Sequence, residues 1–357
     1  MQLGFIGLKF SGKSTLFELL TQGKYESVHS GMADYRRGQV VVPDGRVERL
    51  SEIYQPKKTT HAHFDCIDVM GLPAGMRSDQ AAKYLEAVRQ TDSLVAVIQV
   101  FEGYDSEGRP FQIDPVKNLE ELEADLIFAD LIVAETRLEK VKHLKARSAS
   151  QFDPKELELL EKCRVVLEEN KPLRDVHFSV SEDKRIRGFQ FLSKKPLMAV
   201  LNCDESHYDK RKNYEVKFKD SFPGIPVTSV SALTEKEIQE LDEDERALFM
   251  KELGIDEPAI NHVISTSYSA LGLISFFTVG EDEVRAWTLL SGATAPDAAG
   301  EIHSDLQKGF IRAEVVSYDD LIREGSFSKA KSRGLVRLEG KDYVVKDGDI
   351  INIRFNV

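Results

Sequence analysis

The sequence predicts an α/β fold with a mostly parallel sheet, a helical insertion and a small β-rich module at the C-terminus. Three observations predict it. Apolar strand-like runs alternate with helical stretches, a charged segment without glycine interrupts them, and the last ~80 residues contain short β-rich runs separated by turns. Strands that alternate with helices favour a parallel sheet covered on both faces.

Length and composition are those of a folded protein with more than one domain. The chain has 357 residues, 41% of them hydrophobic, and a net charge of −12, so a polyanionic partner has to meet a local basic patch. The three cysteines are far apart and lack metal-site spacing, which suits a reducing cytosol. Because no apolar run of about 18 residues occurs, we predict a cytoplasmic protein without a membrane span.

The sheet is predicted from buried-type apolar runs. The strands are Gln2–Gly7, Ala62–Asp68, Ser93–Val100, Pro196–Asn202 and Pro226–Ser231, and the helices between them include Lys13–Thr21 and Asp79–Thr91.

A helical hairpin is predicted from about Val116 to Asn170. Its apolar residues have the spacing of a coiled-coil seam, at Ile127, Leu131, Ala134, Leu138 and Val141. Asp153 and Pro154 start the second helix after a turn at Arg147–Phe152. The alternative is a pair of ordinary surface helices of the same domain.

The C-terminal module is predicted from short strands, at Val284–Leu289, Phe310–Val316, Val336–Leu338, Tyr343–Val345 and Ile350–Phe355. The domain boundaries that follow are 1–115 and 191–274 for the two parts of the α/β domain, 116–190 for the insertion and 275–357 for the module.

The residues from Gly7 to Ser14 match the phosphate-binding P-loop, GxxxxGK[ST], and stand between a predicted strand and a predicted helix. In this motif, backbone N–H groups and the helix N-terminus surround phosphate oxygens. We predict that Lys13 reaches the β- and γ-phosphates, Ser14 binds Mg²⁺ and Thr15 contacts the α-phosphate. The predicted phosphate-binding residues are Lys9, Phe10, Ser11, Gly12, Lys13, Ser14, Thr15 and Gly71. The alternative is a glycine turn with an exposed lysine.

Gly71 belongs to a second element, Asp68-Val69-Met70-Gly71, at the end of another strand. Asp68 is predicted to hold Mg²⁺ through water, and the Gly71 N–H to bind a γ-phosphate. The alternative is a strand that ends in a turn.

The third element, Asn202-Cys203-Asp204-Glu205, lacks the lysine and the final aspartate of the guanine-reading NKxD motif. This difference favours relaxed base choice or ATP, with GTP still possible. The predicted base-binding residues are Asn202, Cys203, Glu205, Ser231, Ala232 and Leu233.

These residues resemble the YchF family of Obg-related P-loop NTPases over nearly the whole chain. The resemblance is carried by the NxxE element and by a C-terminal pattern with the segments Glu283–Thr288, Gly292–Pro296, Ile302–Asp305, Lys308–Val315 and Leu338–Tyr343. It implies an NTPase domain with an inserted hairpin, a TGS-like β-grasp module, hydrolysis of ATP at least as well as GTP, and association with ribosomes or ribosomal RNA.

The chain also departs from the family pattern. Lys9, Phe10 and Ser11 replace the usual Pro-Asn-Val, Met32 stands at the switch threonine, and residues 103–111 contain no histidine. Leu72 after the DxxG element is apolar, where Ras-like GTPases have the glutamine that positions water. The resemblance therefore implies nucleotide binding more strongly than efficient hydrolysis, and it identifies no catalytic residue.

Three hypotheses follow: a slow Mg²⁺-dependent ATPase that switches on the ribosome, a nucleotide-binding regulator without meaningful hydrolysis, and a small-molecule kinase that shares only the P-loop. The NxxE element and the TGS-like tail argue against the kinase. Cys203 is either a redox-sensitive thiol or a buried inert one. The basic run Arg137–Arg147 is either a solvated helix face or a contact site.

Overall fold

The structure, a computed structural model, describes residues 2–29, 34–69, 79–104, 110–111, 114–147, 153–252 and 257–356. At 79–83, 103–104, 110–111, 145–147, 208–209, 243 and 252 it describes the backbone only. The chain divides into two compact units. The first consists of Met1–Gly38 and Cys66–Val263, and the second of Gln39–Asp65 and Ile264–Val357.

The elements up to the end of the insertion are β1 (Gln2–Ile6), α1 (Lys13–Leu20), β2 (Tyr25–His29), β3 (Asp34–Val41), α2 (Gly45–Tyr54), β4 (Lys58–Thr60), β5 (His63–Val69), α3 (Asp79–Arg89), β6 (Ser93–Gln99), β7 (Gly103–Tyr104), β8 (Pro110–Phe111), α4 (Pro115–Arg147), α5 (Pro154–Glu168) and α6 (Val180–Ile186). The later elements are β9 (Leu197–Asn202), α7 (Arg211–Ser221), β10 (Val227–Val230), α8 (Ala232–Glu240), α9 (Glu243–Glu252), α10 (Ala259–Ala270), β11 (Leu273–Thr278), β12 (Glu283–Leu290), α11 (Ala295–Ile302), α12 (Ser304–Lys308), β13 (Phe310–Ser317), α13 (Tyr318–Glu324), α14 (Phe327–Ser332), β14 (Arg337–Glu339) and β15 (Asp349–Phe355).

A seven-stranded sheet with the order β10-β9-β6-β1-β5-β3-β2 forms the centre of the first unit. β1 runs parallel to β6, β6 to β9 and β9 to β10, which confirms the predicted α/β fold with a mostly parallel sheet. Every residue of β6 and β9 is buried, as expected for central strands covered on both faces. The carboxyl ends of these parallel strands meet at one edge of the sheet, where ligands bind in open α/β folds.

The sequence analysis did not predict β2 and β3, which pair antiparallel at the edge of this sheet. Four of the five residues of β2 are exposed, and β3 buries only Gly38 and Val40. β2 is mostly polar and β3 is apolar only at its last two residues, so neither gives a strong signal of a buried strand.

The helical insertion is confirmed, with α4 and α5 packed along an apolar seam. Ile127, Ala134, Leu138 and Val141 are buried in this seam, and Leu131 packs against it while partly exposed. These residues form a cluster separate from the one that surrounds the sheet, which favours an inserted hairpin over two surface helices. Asp153 accepts a hydrogen bond of 3.0 Å from the Lys155 N–H, as predicted for a helix cap. Residues 148–152 of the predicted turn lie outside the described part of the chain.

The second unit contains a six-stranded sheet with the order β14-β13-β15-β11-β12-β4. Its core lies between the sheet and α11, with Phe276, Ala298, Val315 and Ile351 among the buried residues. The strand predicted at 343–345 is wrong: this segment makes only an isolated bridge, in which Val344 pairs with Thr294.

Residues 39–65 contribute α2 and the edge strand β4 to this second unit. The sequence-based boundaries at 115, 190 and 274 stay predictions about functional domains. The compact units place residues 39–65 with the C-terminal residues, whereas the sequence-based boundaries place them in the first part of the α/β domain. The sequence does not show this grouping, because a pairing between segments more than 200 residues apart leaves no local pattern. Among the described residues, no helix is both long enough and apolar enough to span a bilayer.

Candidate nucleotide site

The predicted P-loop joins β1 to α1 at the carboxyl edge of the sheet. Gly12 adopts a left-handed conformation with φ of 83°, and α1 begins directly after it without a side-chain cap. An uncapped helix N-terminus leaves backbone N–H groups for an anion. Phe10 also has a positive φ, of 70°, and its side chain is 76% exposed at the rim of the loop. Lys9 is exposed beside it, whereas Ser11 is buried and its hydroxyl has no hydrogen-bond partner.

Lys13, Ser14 and Asp68, which the sequence analysis assigned to phosphate and Mg²⁺, lie in contact with one another. Lys13 Nζ lies 2.8 Å from Asp68 Oδ1 and donates a second hydrogen bond of 3.1 Å to the Val69 carbonyl. Ser14 Oγ donates to Asp68 Oδ2 over 3.1 Å. Asp68 is fully buried, so its carboxylate has to be satisfied by groups of the protein. Their roles toward a bound nucleotide, and that of the half-buried Thr15, stay predictions.

Two predicted positions cannot be compared with the structure. Gly71, the predicted γ-phosphate ligand, and Met32, at the position of the switch threonine, both lie outside the described residues. The same holds for most of the loop at 103–111.

Arg36 and Glu18 also belong to this site, and the sequence analysis missed both. Arg36 Nη2 lies 2.5 Å from Asp68 Oδ2, and its Nη1 lies 2.7 Å from Glu18 Oε1. Burial lowers the pKa of Arg36, but the hydrogen bonds that it donates to Asp68 and Glu18 outweigh burial and raise the pKa above its ordinary value. Arg36 is therefore a permanent cation. Arg36 could have been identified as a site residue from its place on β3, the strand next to β5. That place is known only once the strand order is known.

Asn202, at the end of β9, connects three parts of the site. Its Nδ2 donates to the Ser11 carbonyl over 2.9 Å, and its Oδ1 accepts a hydrogen bond of 3.0 Å from the Ala232 N–H. The amide therefore ties the P-loop to the start of α8. The prediction that Asn202 reads a base is not tested, but both ends of its side chain are already engaged within the protein.

The remaining predicted base-binding residues divide into two groups. Cys203, Ser231 and Ala232 are buried, and the Cys203 N–H already donates to the Val230 carbonyl over 2.8 Å. Burial raises the pKa of the Cys203 thiol to about 12, which favours an inert thiol over a redox-sensitive one. Glu205 and Leu233 are exposed, the latter by 65%, and are the two candidates accessible to a base.

Comparison with known proteins gives the same assignment for nearly the whole chain. Residues 273–356 match the sequence profile of the YchF-GTPase_C family, which is described as a protein of unknown function (DUF933). The chain is 40% identical to the Ribosome-binding ATPase YchF of Bacillus subtilis (strain 168) and 38% identical to that of Escherichia coli O157:H7. Each alignment covers 99% of both chains.

Solved structures agree with this assignment. The YchF GTPase of Schizosaccharomyces pombe superposes with a TM-score of 0.84 at 28% identity, over 99% of this chain and 97% of that one. A GTP binding protein from Pyrococcus horikoshii OT3 shares the fold, with a TM-score of 0.62 at 18% identity over the full length of both chains. The P-loop geometry, the C-terminal profile and the full-length identity lead to one conclusion: this chain belongs to the YchF family.

Proposed function

We propose that this protein is a slow, Mg²⁺-dependent ATPase that binds its nucleotide at the P-loop and acts as a ribosome-associated switch. The observation that supports it most directly is the meeting of Lys13, Ser14 and Asp68 at the carboxyl edge of the sheet. A lysine, a hydroxyl and a carboxylate next to an uncapped helix N-terminus form the arrangement that binds the phosphates of a nucleotide.

Mg²⁺ fits the donors present. Ser14 offers a hydroxyl and Asp68 a carboxylate, and oxygen ligands of this kind are the ones that Mg²⁺ prefers in proteins. When bound, the ion would neutralise charge between the β- and γ-phosphates. The buried, unpartnered hydroxyl of Ser11 is a further polar group in the loop that a phosphate oxygen can satisfy.

ATP as the preferred nucleotide rests on Glu205, which stands where a guanine-reading motif has aspartate. Glu205 is exposed, and the exposed Leu233 offers an apolar contact to a base. The sequence also suggests a test in which Cys203 becomes lysine. The structure argues against that variant, because a lysine at this buried position would carry an ammonium group into the core.

The second candidate is a nucleotide-binding regulator with little or no hydrolysis. It is favoured by Leu72 after the DxxG element, by Met32, and by the absence of histidine from residues 103–111. Phosphoryl transfer depends on such positioning groups for the attacking water. Phosphate release by the purified protein separates the two. Turnover that disappears in Lys13→Ala supports the ATPase, and no release above background supports the regulator.

Ribosome association is proposed because the bacterial relatives carry it in their names. A cytoplasmic location and the division into an NTPase domain, an inserted hairpin and a TGS-like module belong to the same proposal. Support for the module comes from the profile match at 273–356.

The test of nucleotide binding is calorimetric titration of ATP and GTP into the unmodified protein and into Lys13→Ala. Because this variant removes the cation that faces the phosphates, affinity is expected to fall about tenfold or more, or about 1.4 kcal/mol. Lys24→Ala, an exposed lysine shortly after α1, is the matched control. Equal affinity in a folded Lys13→Ala protein would refute the P-loop assignment. A preference for GTP on the order of a hundredfold would refute the proposed base choice.

A further inference from the structure

Arg36 occupies an unusual position for a surface-strand arginine. It lies on β3, next to β5 in the sheet, and its side chain is only 12% exposed. Its guanidinium forms ion pairs with two carboxylates at once, of Asp68 on β5 and Glu18 on α1. Asp68 Oδ2 accepts from both Arg36 and Ser14, so the guanidinium lies beside the predicted metal ligand.

Two aromatic rings fix the guanidinium in place. Its central carbon lies 5.1 Å from the ring centre of Phe17 and 5.0 Å from that of Tyr25. The two rings themselves are 5.6 Å apart. Arginine suits such a site because its flat cation can stack on rings while it binds carboxylates at its edge. Arg36 is therefore held independently of Asp68, by Glu18 and by both rings.

The charges around Asp68 change when a nucleotide binds. In the structure, its buried carboxylate has two cations, Lys13 and Arg36. Lys13 has to leave Asp68 in order to reach the β- and γ-phosphates. A buried carboxylate without a cation is strongly destabilising, and beside a triphosphate it would also repel the ligand. In a site with only the lysine, a divalent cation has to supply the missing charge. In this chain Arg36 remains on Asp68.

We propose that Arg36 is a built-in counter-ion of Asp68 that lets the P-loop bind a nucleoside triphosphate without a divalent cation. The inference rests on the proposed nucleotide binding and adds the cation requirement of that binding. Nucleotide binding then needs no metal, whereas hydrolysis still does. A guanidinium fixed on Asp68 cannot move to stabilise the charge that develops on the phosphates during phosphoryl transfer.

The first measurement uses the unmodified protein and needs no variant. ATP is titrated calorimetrically in EDTA and in Mg²⁺, and the two dissociation constants are expected to agree within about threefold. A loss of affinity of about tenfold or more in EDTA overturns the proposal. If ATP binds under neither condition, the proposed nucleotide binding itself fails, and the inference fails with it.

Variants then assign the effect to Arg36. Arg36→Gln is expected to lose about tenfold or more of its ATP affinity in EDTA while Mg²⁺ restores most of it. Arg37→Gln removes the same charge from the next position of β3, which faces the opposite side of the sheet, and is expected to bind like the unmodified protein. Equal metal dependence of both variants overturns the assignment.

Folding is controlled separately. Arg36→Lys keeps a cation beside Asp68 and is expected to retain more metal-free binding than Arg36→Gln. Thermal unfolding of each variant is recorded without nucleotide. If Arg36→Gln is unfolded, the proposal is tested by comparing the metal dependence of ATP binding between Arg36→Lys and the unmodified protein. If folded Arg36→Lys loses no more ATP affinity in EDTA than the unmodified protein does, the counter-ion role is supported. If it loses about tenfold or more, the role is overturned.

Discussion

Asn202 and Gly12 depend on each other at the centre of the nucleotide site. A Cβ added to Gly12 would lie 2.1 Å from Asn202 Nδ2, so a side chain at this position and the Asn202 hydrogen bonds exclude each other. The positive φ of Gly12 independently favours glycine. The loop shape therefore depends on a residue that lies far along the chain, on β9.

Replacement of Asn202 by alanine is expected to affect both stability and binding. The buried Ser11 carbonyl and Ala232 N–H would lose their partner, which costs about 1 to 3 kcal/mol of unfolding free energy. ATP affinity is expected to fall as well, because the P-loop is no longer tied to α8. Urea denaturation and calorimetry measure the two effects.

Leu233→Ala is the control for Asn202→Ala, since Leu233 is exposed and lies next to Ala232. It is expected to leave the unfolding free energy within about 0.5 kcal/mol. An Asn202→Ala protein as stable as this control would show that the observed hydrogen bonds do not hold the loop.

At the scale of elements, the insertion is anchored by Asp130 of α4. This fully buried carboxylate accepts hydrogen bonds from Arg89 Nη1 at 2.8 Å, from the Leu192 N–H at 2.9 Å and from Ser193 N–H and Oγ at 2.7 and 2.8 Å. It thus connects α4 to the end of α3 and to the segment that leads into β9. This buried charge therefore adds a polar anchor to the apolar contacts that Leu119, Leu122 and Leu126 of α4 make with the core around the sheet.

Asp130→Ala is expected to lower the unfolding free energy by about 3 kcal/mol or more, because the buried Arg89 loses its carboxylate and two backbone N–H groups lose their acceptor. Glu135→Ala removes a carboxylate from the exposed face of the same helix and is expected to change it by less than about 0.5 kcal/mol. Urea denaturation compares the two. Similar values for both variants would contradict the anchoring role.

The elements that could be predicted from the sequence are those whose signal is local. β1, β6 and β9 are apolar runs buried on both faces, and the P-loop is a complete motif between a strand and a helix. Lys13, Ser14 and Asp68 followed from these elements, because carboxyl ends of parallel strands share one edge. Arg36 did not follow, since its importance depends on β3 lying beside β5, and β3 is apolar only at its last two residues.

The basic run on α4 shows the same limit. Within the run itself Glu139 is the only acidic residue, but the structure adds partners from the second helix of the hairpin. Arg137 pairs with Glu156 at 2.7 Å, and Lys142 with Glu161 at 2.8 Å, both across to α5. The sequence also predicts a second basic site in the C-terminal module, with Lys329, Lys331 and Arg333 on a loop. That placement is wrong for Lys329 and Lys331, which lie on α14.

For the whole molecule, binding to ribosomes or RNA has to overcome a net charge of −12. Contacts between local basic patches and phosphates release counterions, so affinity is expected to drop steeply with salt. Co-sedimentation with ribosomes at low and moderate salt measures this. No binding by the unmodified protein, with or without ATP, would contradict the ribosome proposal.

The contribution of the hairpin is tested by charge reversal in the same experiment. The test variant changes four basic residues of α4 to Glu: Lys140, Lys142, Lys145 and Arg147. The matched control changes four lysines at and within α7 to Glu: Lys210, Lys212, Lys217 and Lys219. Weaker binding by the first variant alone identifies the hairpin as a contact. Equal binding by both variants excludes it.

The edge strand β4 has a consequence for expressing the C-terminal stretch as a separate fragment. Lys58, Thr59 and Thr60 pair with Glu283, Val284 and Arg285 of β12, so the stretch 273–356 on its own encodes a sheet that lacks its outermost strand. A bare strand edge readily pairs with other chains and promotes aggregation. A gene fragment for this stretch is therefore expected to yield an aggregating product, because it leaves out the β4 residues that complete the sheet.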